Sequence, residues 1–252
     1  MKDVHLHTGE RIDDLQRGGC RLIQRSDLFS FGIDAVLLAD FARVADGSTV
    51  LDLCCGGGII PILMDARMES KTCHFTGIEI NPDCVDLARR SAAMNGQSDR
   101  IRFIEGDIRK AGTLAAPALF DAVTANPPYM IGGHGLTGPN YAKTIAKHEV
   151  LLNLSDVVKA ASRALKLHGS FFLVHRPYRL ADIFRELNAC SLEPKRMRMV
   201  EPYAGREPNI VLIEAVKGGR PRLKVEPTLV VYEREGVYTK ELLDIYGKQP
   251  EA

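Results

Sequence analysis

No uninterrupted apolar run in this sequence approaches the length of a membrane span, and Met1-Lys2-Asp3-Val4-His5 lacks the apolar stretch of a secretory signal. A helical membrane protein is therefore excluded, and a cytoplasmic location is the expectation. The six cysteines include no Cys-x-x-Cys pair, and the adjacent Cys54 and Cys55 cannot bridge with ordinary disulfide geometry. Reduced thiols packed as small apolar side chains are expected. The pair His5-x-His7 is too little to hold a metal, so none is expected. Internal repeats and low-complexity segments are missing too. A net charge of +1 does not advertise a nucleic-acid binder, but the charge is unevenly spread. Arg176 to Lys224 carries eleven Lys and Arg against six Asp and Glu, and Val225 to Ala252 carries three against six. The first stretch is thus a candidate phosphate-facing patch.

What is present is an alternation. With 252 residues and 45% apolar content, the chain can bury one large core, with room for a modest appendage. Strand-like runs are Val50 to Cys54, His74 to Glu79, Ile101 to Gly106, Phe120 to Ala125 and Gly169 to Val174. Helix-like segments lie between them: Ile59 to Met68, the stretch opened by Asn81-Pro82-Asp83 and closed by Asn95-Gly96, and Ser155 to Leu167, followed by Arg179 to Cys190. Such β–α alternation predicts a mostly parallel sheet with helices on both faces. Arg196 to Val200 and Ile210 to Val216, joined by a loop, predict an antiparallel hairpin at one sheet edge. Arg21 to Gln24 reads as a short strand and Ile33 to Phe41 as an apolar helix; Thr228 to Tyr232 and Lys240 to Tyr246 read as a C-terminal strand and helix. The boundaries expected are an N-terminal extension over 1–48, an α/β domain over 49–217 and a C-terminal appendage over 218–252.

Three acids sit at three successive strand ends. Asp52 precedes Cys54-Cys55-Gly56-Gly57-Gly58, where glycines let a ligand approach the backbone and the next helix begins. The third glycine of a dinucleotide fingerprint is absent, since Ile59-Ile60-Pro61 follows. An acid before the loop suits a ligand with a cationic amine better than one with a pyrophosphate. Glu79, 27 residues on, can accept from both ribose hydroxyls, with Ile80 beside it. Asp107 can accept from an adenine amine while Ile108 packs on the ring. Each acid alone would serve as a helix cap. Together with Gly56 and Gly58 they describe one crevice for amino acid, ribose and adenine, which is S-adenosylmethionine laid along the sheet. This pattern resembles the Rossmann-like class I methyltransferases over about Thr49 to Val216. That likeness implies a seven-stranded sheet, and Cys54 departs from it where glycine is usual.

The fourth strand ends in Asn126-Pro127-Pro128-Tyr129. Two prolines cannot donate to a ladder, so the strand must stop and a stiff loop follows. The motif resembles that of methyltransferases acting on planar amines, either adenine N6 or a glutamine amide. An exocyclic amine is a poor nucleophile because its lone pair is delocalised. Acceptance of its N–H groups by the Asn126 side-chain oxygen and the Pro127 carbonyl would aim it at the methyl, with Tyr129 stacked on its plane. Positioning and electrostatics then carry the reaction without a dedicated general base. His148, His175 and Tyr141 are the nearest proton acceptors, and packing or loop roles suit them.

Further segments resemble the bacterial tRNA (adenine-N6) methyltransferases that modify adenine 37 of a valine tRNA, closest to their Gram-positive branch. They are Arg11 to Leu15, Phe31 to Ala39, Ile145 to Glu149, Val174 to Pro177, Pro194 to Arg196 and Asn209 to Glu214. The resemblance implies that Phe31 and the Ile33–Asp34 turn cover the donor. It implies that Arg176, Arg179, Lys195, Arg196 and Arg198 meet phosphates of the anticodon loop. It also implies that the glycine-rich span Ile131 to Asn140 orders around the substrate. The alternative substrate is a protein glutamine, as in a release factor. Those enzymes carry a separate N-terminal helical domain, whereas about 48 residues precede the first sheet strand here. DNA adenine enzymes need a target-recognition region that the sequence does not show. Oligomeric state is not legible.

Overall fold

Five parallel strands line up in the spatial order β7-β6-β3-β4-β5 in the computed structural model, which describes residues 5–28, 31–110, 118–128 and 152–247. They are β3 (Thr49–Leu53), β4 (His74–Glu79), β5 (Ile101–Glu105), β6 (Phe120–Ala125) and β7 (Leu165–His175). β3 and β6 are buried along nearly their whole length, which explains why they read as continuous apolar runs. Side chains alternate between two apolar layers. Val50, Ala122, Phe172 and Val174 face α1 (Ile33–Phe41), α2 (Ile59–Arg67) and α3 (Pro82–Met94). Leu51, Leu53, Val123 and Phe171 face α4 (Leu154–Ala164) and α5 (Leu180–Ala189).

The helix boundaries follow local chemistry. Asn81 caps α3 by accepting from the Asp83 N–H, and Pro82 takes the first turn, where no N–H is needed. Asn153 caps α4, one residue before the helix and two before the expected start at Ser155: its side chain accepts from the Asp156 N–H, and the Asp156 carboxylate accepts from the Asn153 N–H in return. The expected continuation of α4 to Leu167 does not occur. Leu165 is fully buried and pairs with Phe120, so the sheet takes the backbone there and β7 starts four residues earlier than the apolar run suggested.

β9 (Ile210–Lys217) inserts antiparallel between β7 and β8 (Leu192–Tyr203), completing the expected seven strands. The β8–β9 hairpin is not at the edge, however. β11 (Leu229–Arg234) adds parallel to β8, β12 (Val237–Tyr238) pairs with β11, and β10 (Lys224–Val225) also pairs with β8, giving ten strands. A twelve-residue β8 left open would have presented a long row of unpaired backbone groups. The N-terminal hairpin of β1 (Glu10–Asp14) and β2 (Arg21–Arg25) docks on α3, where the Ile23 N–H donates to Ser91 Oγ at 2.9 Å. α6 (Lys240–Tyr246) packs near α1 and β11. Leu22, Leu37, Leu229 and Leu242 all belong to one core layer, so the described parts of the two flanking segments share the core of the central one. Among the described residues no helix is long and apolar enough to cross a membrane.

Candidate active site

The register sets the site. Leu53 lies beside both Ala125 and Ile78, so the segments after β3, β4 and β6 leave the sheet side by side. Here the chain order reverses, since β3 has β4 on one side and β6 on the other, and a crevice opens at such a point. Cys54 to Gly58 forms its floor. Gly58 begins α2 at φ +83°, and a Cβ there would lie 2.5 Å from Phe103, so packing alone requires glycine. Gly56 has φ +51° and a Cβ there would meet no atom within 4 Å. Its bare backbone faces open space that a ligand can enter. Cys54 adopts φ +58°, the left-handed region that costs a side-chain-bearing residue about 1–2 kcal/mol. Glycine, usual in the resembling enzymes, would avoid that strain.

Glu79 ties the floor together. One carboxylate oxygen accepts from the Gly56 N–H at 2.9 Å and the other from the Asn81 N–H at 3.0 Å. Each oxygen keeps lone-pair capacity for a ligand hydroxyl. Desolvation raises its pKa, against the pull of these backbone donors. Asp52 points to the α1–α2 side and is 1% exposed. Its Oδ1 accepts from Thr124 Oγ1 at 2.7 Å, and its Oδ2 is buried with no hydrogen-bond partner among the described residues. Burial pushes its pKa from 3.8 up to about 8. The raised value means that the folded protein holds a proton that the unfolded chain releases above pH 4. Stability therefore falls as pH rises from about 4 to about 8. Asp52→Asn should remove that component, so its melting temperature, without ligand, should gain on wild type across this window. Parallel melting curves of the two proteins would show the idea to be wrong.

Asp107 is engaged by its neighbour. It accepts from the Arg109 N–H and guanidinium, and that arginine holds its pKa below the usual range. An adenine amine at Asp107 would share it with Arg109. Ile108 is 5% exposed and lies mainly in the α4 layer, whereas Ile80 is half-buried just past Glu79. Phe31, half-buried, packs on the α1 layer, and its N–H donates to Gln24 at 3.3 Å. Asn126 is half-buried and Pro127 buried where β6 stops. Tyr129, Ile131 to Asn140, Tyr141 and the segment Ile145 to Glu149 with His148 lie outside the described residues. His175 lies at the end of β7, where its Nδ1 accepts from the Arg176 N–H at 2.8 Å. Burial, assisted by Arg179, lowers its pKa to about 4, so it is neutral at physiological pH and a weak base.

The basic set divides. Arg176 and Arg179 stand at the carboxyl end of the sheet, beside the site; Arg176 donates to the Asn209 carbonyl and Arg179 to Asp182. Lys195 and Arg196 lie further back, Arg196 being level with Glu214 and thus with Phe172 and Thr124, whereas Arg198 is level with Leu212 and Val174, just past the end of β6. Lys195 donates to the Arg220 carbonyl, and Arg198 to the Pro227 carbonyl and Glu241. Arg196 is an internal clasp rather than a surface cation. It pairs with Glu214 at 2.7 Å and Glu226 at 3.4 Å, donates to the Phe41 carbonyl and lies 3.8 Å over the Phe41 ring. His7 similarly sits with Glu10 and Asp86 in a small exposed cluster, but Arg90 binds both acids and lowers the Glu10 pKa to about 2. The structure adds two residues to those the sequence points to. Thr124 holds Asp52, which only strand register reveals. Tyr178 is an exposed ring in the turn after β7, and Pro-Tyr-Arg following a strand was the available signal.

With this geometry in place, comparison with known proteins is decisive on family. The sequence profile of the methyltransferase domain matches residues 45–201, well over half of the chain. The chain belongs to that family. Curated relatives of the methyltransferase include proteins named tRNA1(Val) (adenine(37)-N6)-methyltransferase. The one from Tolumonas auensis is 27% identical over 84% of this chain and 86% of the relative. That from Aeromonas hydrophila is 29% identical over 85% and 87%, and that from Porphyromonas gingivalis 28% over 90% and 88%. Among solved structures, a predicted O-methyltransferase from Agrobacterium tumefaciens superposes with a TM-score of 0.69 at 24% identity, covering 85% of this chain and 95% of the other. TrmN from Thermus thermophilus gives 0.54 at 24% identity, covering 73% and 48%. These structures share the fold of the methyltransferase.

Proposed function

We propose that this methyltransferase moves the methyl group of S-adenosylmethionine to the exocyclic N6 amine of an adenine in tRNA, at position 37 in the anticodon loop of a valine tRNA. The observation that carries the reading is the Leu53–Ala125 pairing, which brings Asn126-Pro127 out beside the glycine loop. The relatives' names support the substrate. The residues fit the donor: Gly56 offers open backbone, Glu79 two anchored oxygens, and Asp52 an unpartnered buried oxygen that a ligand ammonium would complete. Bound there, the donor supplies an electrophilic methyl on a sulfonium.

The chain's own part is positioning. The Asn126 side-chain oxygen and the Pro127 carbonyl accept the amine's N–H groups, which turns the nitrogen lone pair toward the crevice. Tyr129 stacks on the base. The double proline keeps the acceptors stiff, so little reorganisation is needed at reaction. A base in a hairpin loop is splayed out with little unpairing cost. Arg176 and Arg179 meet the loop phosphates, Phe31 covers the donor, and the tRNA substrate places the enzyme in the cytoplasm.

The direct test is incubation with methyl-labelled donor and, separately, unmodified tRNA, duplex DNA and a release factor. Mass spectrometry should find N6-methyladenosine in tRNA alone; label on a protein glutamine would overturn the reading. Glu79→Ala should raise the donor's Kd about tenfold to a hundredfold, the loss expected for hydrogen bonds to a charged acceptor. Glu79→Gln, which keeps one acceptor oxygen, should fall between. Calorimetric titration showing unchanged affinity in both would remove Glu79 from the donor site.

A further inference from the structure

β6 and β7 are parallel neighbours, with Ala125 beside Leu173. The segment Asn126 to Pro128 and the turn Pro177–Arg179 therefore leave the sheet at the same edge. Between them lies a cavity of about 570 Å³, lined by Pro127, Pro128, His175, Tyr178, Arg179 and Asp182 among others. That volume is within the range of small-molecule pockets and suits one nucleoside. Tyr178 is 66% exposed, the only aromatic among the exposed large apolar side chains of the described residues. A ring left this open in a pocket that two prolines also line offers a flat face for another π system. The charges are arranged around it. Asp182 is held by Arg179 at 2.7 Å and by Arg185 at 2.9 Å, so two guanidinium groups surround one carboxylate. His175 is neutral, as its pKa of about 4 requires. Arg185 also reaches Glu186, so cations and acids balance at the rim, where Arg179 is the lining guanidinium, while the wall is aromatic and apolar.

We infer that this pocket receives the nucleotide next to the target adenine, its base stacked on Tyr178 and its phosphate at the Arg179 rim. The inference rests on the tRNA reading and extends it, because it names a second base-binding position beyond Asn126-Pro127. Stacking on one ring tolerates any base but requires that the base be free of its own neighbours. The pocket therefore selects an unpaired, splayed loop over a duplex, which is a means of recognising the loop without reading its sequence.

The test uses the full-length enzyme and a short RNA hairpin with the target adenine in its loop. The hairpin is made intact or with an abasic site on either side of that adenine. Tyr178→Ala should raise KM for the intact hairpin about tenfold to a hundredfold, the range of base–aromatic stacking, with kcat within about twofold. Tyr178→Phe and Tyr178→Trp should stay within about threefold of wild type, since the flat face remains. An abasic site on the stacked side should cost wild type a similar factor and cost Tyr178→Ala nothing more, the non-additivity of two groups in contact. Melting temperature and donor affinity of Tyr178→Ala should match wild type, because the ring is exposed. An unchanged KM in Tyr178→Ala, or losses that multiply at both abasic positions, would overturn the pocket while leaving the tRNA reading intact. A wild-type enzyme that methylates no RNA would overturn the tRNA reading, and the pocket with it.

Discussion

Asn126→Ala should lower kcat for methyl transfer about a hundredfold to a thousandfold, the loss seen when one preorganised polar group is removed from a reacting centre. The donor's Kd should move little, because the donor's proposed anchors are Glu79, Asp52 and the open backbone of Gly56, on β3 and β4 rather than on β6. The asymmetry follows from the chemistry. In the proposed mechanism the amide oxygen at position 126 accepts from the incoming amine and matters most as that nitrogen becomes tetrahedral. Asn126→Asp keeps an acceptor and should recover part of the rate. The fold should survive both changes, since β6 ends at Ala125 and its ladder does not depend on the next side chain. Single-turnover rates beside donor titration check this. Unaltered turnover in Asn126→Ala would take the residue out of the mechanism.

Arg196→Ala should destabilise the protein rather than weaken its grip on RNA. The side chain is 11% exposed and its partners Glu214 and Glu226 are 20% and 14% exposed, so removal leaves two partly buried carboxylates uncompensated. It also strips the last turn of α1 of a donor to the Phe41 carbonyl and of a cation over the Phe41 ring. Breaking such a pair by removing one partner costs about 3 kcal/mol or more. In a domain of this size that is a fall of roughly 6–12 °C in melting temperature. Arg196→Lys should rescue little, because one ammonium cannot serve Glu214, Glu226 and a carbonyl in the planar arrangement of a guanidinium. The slope of RNA affinity against salt should be unaffected in the folded protein, whereas Arg179→Ala should flatten it. An Arg196→Ala protein that melts like wild type yet shows a flatter salt slope would return Arg196 to the RNA surface.

Arg196 also shows why sequence reading stops where it does. In the sequence it is one of several cations in a basic stretch, indistinguishable from Lys195. What separates them is that Arg196 lies beside Glu214, 18 positions away, and reaches Phe41, 155 positions away. The same applies to β8. Its buried positions, Leu192, Pro194, Met197 and Val200, are thrown off alternation by a register shift between Pro194 and Arg196, so only its middle reads as a strand until β9 and β11 are seen to flank it. β1, written Glu-Arg-Ile-Asp-Asp, has no apolar pattern and exists because β2 pairs with it.

The elements that build the crevice were legible because their signals are local. Buried parallel strands must be apolar throughout, a helix that starts with Asn-Pro-Asp carries its own cap, and twin prolines stop a strand wherever they occur. The sequence by itself therefore determined the α/β alternation, the glycine loop with its three acids and the Asn-Pro-Pro end of β6. Tertiary structure alone decided the rest: that Asp52 is sealed against Thr124 with one oxygen unpartnered among the described residues, that Arg109 occupies Asp107, that the C-terminal strands extend the sheet, and that Tyr178 and Pro127 line one cavity. Each of these depends on which residues the register brings together from distant parts of the chain, and burial and charge pairing are properties of that meeting, not of either residue.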